Sequence, residues 1–73
     1  MTVFDLKKGD EAKVIKINLS GSAAARLNAL GLKKGTQVRI LSFSLFKSAV
    51  LLSFGAARLG IRKPIAEKME VVK

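Results

Sequence analysis

The chain has 73 residues, with 14 lysines and arginines against 5 aspartates and glutamates for a formal charge of +9, and it lacks cysteine, histidine and tryptophan. Those absences exclude disulfides, thiolate metal centres, cysteine nucleophiles and imidazole acid–base chemistry. The length allows one domain, residues 1–73, with a core that hides only about 60% of the unfolded surface.

Thr2 to Leu6 brings Val3, Phe4 and Leu6 ahead of a Lys7-Lys8-Gly9-Asp10 turn. A short apolar terminus is hard to keep soluble alone, so this segment is expected across the open end of a barrel with Phe4 or Leu6 as the plug. Glu11 to Ile17 alternates as a first strand, with Ala12, Val14 and Ile17 inward. Asn18 to Gly21 reads as a polar loop. Ser22 is expected to cap a helix over Ala23–Leu30, and Gly31 supplies the left-handed residue that ends it. Leu32 then folds back onto Leu27, and Leu27 and Leu30 seat the helix on the strands. Lys33-Lys34-Gly35 turns into a strand from Thr36 to Leu41, alternating Val38 and Ile40 with Gln37 and Arg39.

The stretches KKGDEAKVIKI (Lys7 to Ile17) and KKGTQVRILSF (Lys33 to Phe43) match in kind over their first nine positions. Either one turn-into-strand unit is used twice, or two common turns precede strands that alternate as all strands do. Both readings place Gly9 and Gly35 at positive φ.

Ser44 to Ser48 reads as a loop, after which Ala49 to Phe54 forms a strand. Leu45 and Phe46 within that loop either tuck into the core or stand out as an apolar knob that meets a partner or a second copy. Gly55-Ala56 turns the chain into a strand at Ala57 to Arg62, where Gly60 marks an expected bulge or sharp coil. Pro64 opens a helical turn to Lys68, and Met69 to Val72 closes. The fold class is mainly β: a small SH3-like barrel of five strands, with one short α-helix and one helical turn, whose closure leaves little free edge.

No catalytic residue is assigned. The acids are Asp5, Asp10, Glu11, Glu67 and Glu70; Asp10 and Glu11 flank a turn as solvated caps. Glu67 and Glu70 are two carboxylates, too few for a dedicated metal site, so no metal ligand and no cofactor is assigned. Gly31-x-x-x-Gly35 precedes a strand, so no helix N-terminus faces a phosphate. Nothing approaches the roughly 18 apolar residues that span a bilayer. Met1 to Gly9 lacks the order of a signal peptide, and cytoplasmic residence is the expectation.

Arg26-Leu27-x-x-Leu30-Gly31-Leu32-x-x-Gly35-x-x-Val38, preceded by Leu6-Lys7-x-Gly9 and followed by Gly55, Leu59, Arg62-Lys63, Ala66 and Val71, resembles the FeoA family, the small A component of bacterial ferrous-iron uptake. The resemblance covers nearly the whole chain. It implies a cytosolic SH3-like barrel, similar also to the C-terminal domain of diphtheria-toxin-repressor-type regulators, that acts as an accessory of the membrane GTPase permease FeoB. Such repressors contribute carboxylate or amide metal ligands from this domain, and this chain shows no clear equivalent. Family members often carry a Gly/Pro-rich loop where Ser42 to Ser48 stands here.

The leading expectation is a non-enzymatic interaction module that binds the cytoplasmic side of FeoB through Arg26, Lys33, Lys34, Leu45, Phe46 and Lys47. Leu27, Leu30, Gly31, Gly35, Gly55 and Arg62 form the structural motif. Anionic membrane near FeoB and a homodimer through Phe43, Leu45 and Phe46 are further partners. The rivals are a stand-alone KOW-like barrel that binds RNA or DNA, and a metal-binding regulatory domain. Nucleic acid is disfavoured because the chain has no Trp, Tyr or His on which bases would stack.

Overall fold

The computed structural model describes residues 1–73. A 3₁₀ turn at Val3–Asp5 leads into β1 (Glu11–Ile17), α1 (Gly21–Ala29) and β2 (Gln37–Phe43). A second 3₁₀ turn at Leu45–Lys47 precedes β3 (Ala49–Phe54), β4 (Ala57–Arg62), the single turn α2 (Lys63–Ala66) and β5 (Met69–Val72). All strand pairs are antiparallel, in the order β4-β3-β2-β1-β5.

The two Lys-Lys-Gly units are one structural unit used twice. In each, the small polar residue after glycine closes the turn. Asp10 Oδ2 accepts the Lys7 N–H at 2.9 Å, and Thr36 Oγ1 accepts the Lys33 N–H at 3.2 Å. Gly9 and Gly35 lie at φ +91° and +94°, a region open to glycine without the clash a Cβ would bring. Gly9 N–H donates to the Ile40 carbonyl and Gly35 N–H to the Val14 carbonyl, both at 2.7 Å.

β1 and β2 therefore pair about a local two-fold axis through Ala12 and Val38. The register shifts obey the same symmetry: Ile15 is the extra residue of β1 against β5, and Leu41 that of β2 against β3. A bulge sharpens bend and twist, which lets so short a sheet wrap a core. The expected bulge at Gly60 is absent, and β3 pairs with β4 in unbroken register from Ala49↔Arg62 to Phe54↔Ala57.

Val14, Val38, Ile40, Val50, Leu52, Ile61, Met69 and Val71 fill the interior. The N-terminal segment does cover it, but the plug is Val3 together with Leu6. Phe4 is only part-buried, its ring 5.9 Å from that of Phe43. The ladder is also not closed, since β4 and β5 are its two free edges. The reason lies in α2, which carries the chain straight from one edge strand to the other and packs on β3 and β4 with Ala66 fully buried. Pro64 stands second in that turn, after Lys63.

The helix starts earlier than Ser22. Its N-cap is Ser20, with no side-chain cap bond, and Ser22 lies inside the first turn. Its end follows the residues closely. Gly31 sits at φ +94°, its N–H reaches the Asn28 carbonyl at 3.0 Å, and the Leu32 N–H reaches the Leu27 carbonyl at 2.9 Å. This pair of reversed bonds is the Schellman stop, and the buried side chains of Leu27 and Leu32 complete it. Leu30 does not seat the helix. It caps α1 and remains 48% exposed, because the reversal at Gly31 turns Leu32 inward in its place.

Candidate functional site: a hollow between the helix end and the sheet edge

The exposed Leu30 borders a hollow of about 220 Å³ lined by residues from three elements. The last turn of α1 and its cap provide Arg26, Leu27 and Leu30; β4 provides Leu59, Gly60, Ile61 and Arg62; and α2 provides Ile65. Each contribution has a local cause. The glycine stop leaves Leu30 on the solvent side, alternation turns Leu59 and Ile61 toward the interior, and α2 lays Ile65 against the rim of the core.

Electrostatics sharpen this picture. The ion pairs of the chain join Arg39 to Glu11, Lys63 to Glu67 at 3.8 Å and Lys73 to Asp10 at 3.4 Å. Arg26 and Arg62 have no carboxylate partner, so two guanidiniums flank an apolar floor. That chemistry suits a segment carrying an apolar side chain between acidic groups. A shallower hollow of about 180 Å³ lies between β2, β3 and β4, lined by Ser42, Phe43, Ser44, Ala49, Val50, Leu51 and Gly60.

Of the six residues expected to bind a partner, only Arg26 lines the larger hollow. Lys33 and Lys34 are exposed on the turn into β2, while Leu45, Phe46 and Lys47 form a separate exposed turn. Arg62, expected as a structural residue, stands on the rim. Leu27 and Leu30 were likewise expected as structural residues, and Leu59, Ile61 and Ile65 are apolar lining residues given neither a binding nor a structural-motif role. Their only signal was apolar spacing, which a strand and a helical turn share with any core segment.

Two of the acidic residues, Asp10 and Glu11, are held by specific partners. The backbone N–H of Lys7 holds the Asp10 carboxyl below the usual carboxylate range, helped by Lys73, and the Arg39 guanidinium does the same for Glu11. No cluster of three or more His, Cys, Asp or Glu side chains is arranged to hold a metal ion. No helix is long and apolar enough to cross a membrane.

Both carboxyl pKa values are lowered by folding. The stability they contribute is therefore fully present above the ordinary carboxylate range, and it is lost as pH falls through their lowered folded values. In Arg39→Ala the Glu11 carboxyl should titrate higher than in the parent while Asp10 stays where it was, as read from side-chain carbon shifts by NMR. Unchanged titration of Glu11 would rule out Arg39 as the cause.

A family model described as the FeoA domain matches residues 1–73. The chain belongs to the FeoA family. The solution structure of FeoA from Chlorobium tepidum is 28% identical, with a TM-score of 0.90 over 99% of this chain and 69% of that one. Iron(II) transport protein A from Clostridium thermocellum superposes with a TM-score of 0.90 at 22% identity, over 99% of this chain. This FeoA domain spans 44% of that protein's length. ScaR, a regulator of the diphtheria-toxin-repressor type solved with bound Cd²⁺, shares the fold at 20% identity, with a TM-score of 0.86 over all of this chain and 35% of its own. A comparison with curated protein sequences gave no significant match.

Proposed function

We propose that this FeoA domain is a non-enzymatic accessory of ferrous-iron uptake. It resides in the cytoplasm and docks on the cytoplasmic side of a FeoB-type GTPase permease, which it supports or regulates. The observation that carries this reading is the apolar hollow between α1, β4 and α2 with unpaired Arg26 and Arg62 on its rim. A rim of two cations around an apolar floor is the layout of a small recognition site. An inserted side chain supplies affinity, and complementary charge sets orientation and association rate. Family membership names iron transport as the setting.

A pull-down of the soluble cytoplasmic domain of FeoB with this chain tests the reading. Wild type should retain the partner at physiological salt, and the double charge reversal Arg26→Glu with Arg62→Glu should lose it. Failure of wild type to associate even at low salt would end the proposal, as would intact iron uptake in cells that lack the chain.

A further inference from the structure

The turn between β2 and β3 is built for something other than the core. Leu45 is 79% exposed and Phe46 89% exposed, although both are large and apolar. Phe46 and Lys47 also hold φ of +64° and +54°, the left-handed region that bulky residues avoid. The backbone is thus strained to present a side chain that touches almost nothing of its own chain.

The conformation is nevertheless tied down. Ser44 Oγ accepts the Ala49 N–H at 2.8 Å and lies 2.9 Å from Ser48 Oγ. The Lys47 N–H reaches the Ser44 carbonyl at 2.8 Å, and the Lys63 N–H reaches the Ser48 carbonyl at 2.9 Å. Persistent strain at an exposed apolar residue points to a use for that residue.

Below the tip lies a collar of cations. Lys47 Nζ sits 5.0 Å from the centre of the Phe43 ring, and Lys63 Nζ sits 5.9 Å from that of Phe4. One carboxylate, Glu67, offsets part of this charge from 3.8 Å beyond Lys63. An apolar tip above lysine side chains is the order in which acyl boundary and anionic headgroups are met from water.

We propose that the Ser44–Ser48 turn is a membrane-surface anchor: Leu45 and Phe46 enter the headgroup–acyl boundary of an anionic bilayer while Lys47 and Lys63 meet lipid phosphates. A second copy of the chain is a poorer occupant. Two side chains on a convex tip fall far short of the roughly 800 Å² per partner that a stable interface buries, whereas a bilayer moulds around a tip of any shape. The net charge of +9 supplies the longer-range attraction to such a surface.

Sedimentation of the full chain with phosphatidylcholine vesicles, with and without phosphatidylglycerol, tests the anchor. Binding should require phosphatidylglycerol and weaken with salt. Lys47→Gln should lower it about fivefold, and Leu45→Ser with Phe46→Asn should lower it about tenfold or more. Asparagine tolerates the left-handed backbone, so Phe46→Asn should unfold no earlier than wild type.

The chain has no tryptophan, so Phe46→Trp reports on the tip alone, and its emission should shift to the blue on phosphatidylglycerol vesicles. Undiminished binding by the double variant, an emission unchanged from water, or a dimer in light scattering that dissociates in Leu45→Asp would each overturn the proposal. No permease is present in these measurements, so their failure leaves the docking hollow untouched.

Discussion

Leu32→Ala lowers the unfolding free energy by about 3 kcal/mol, read as a fall in Tm of about 12–24 °C for a domain of this size. Leu32 is wholly buried and stands immediately after the helix stop, where its N–H bonds back to the Leu27 carbonyl at 2.9 Å. Its side chain is fully enclosed within the core cluster that also holds Leu27, so truncation removes buried apolar contacts and leaves a void. A chain of 73 residues has a total stability of roughly 4–11 kcal/mol, so this one change brings it near the margin. Lys33→Ala, one residue on and exposed, should stay within about 0.5 kcal/mol of wild type. A loss below about 1 kcal/mol at Leu32 would show that the helix is held by something else.

Leu30→Gln produces the opposite combination. On the docking proposed above, affinity for the cytoplasmic domain of FeoB should fall about tenfold to thirtyfold, corresponding to about 1.4–2 kcal/mol, the range of a residue near the centre of a small interface. Tm hardly moves, because Leu30 is 48% exposed at the end of α1 and glutamine is nearly as good a helix former as leucine. Leu27→Gln, only one turn earlier, places an amide in the core and destabilises the fold. Titration calorimetry beside thermal unfolding separates the two effects. Equal affinity of Leu30→Gln and wild type would remove the hollow from consideration as the docking site.

Much of this architecture is set by interactions within a few residues. The Gly31 stop, the two Lys-Lys-Gly turns, and the alternation that sends Val14, Val38 and Ile40 inward all rest on local sterics, short-range hydrogen bonds and a two-residue period. They could be read directly from the chain. The FeoA resemblance was equally legible, because its spaced glycines and leucines mark those same local features.

The site was less so. Arg26 and Arg62 belong to elements far apart in the chain, and only the tertiary fold, which brings the end of α1 beside β4 and α2, puts them on one rim. The choice of Val3 over Phe4 as plug, the bulges at Ile15 and Leu41, and the open edges of the ladder likewise depend on distant partners. Leu45 and Phe46 show the division most clearly. Their types marked them as unusual in a loop, but both fates were open until the filled interior left no room for them. Local order in this protein comes from contacts that each residue makes with its near neighbours, and it is written in the sequence itself. Which apolar residues stay outside is a competition for one small core, and only the assembled fold decides it.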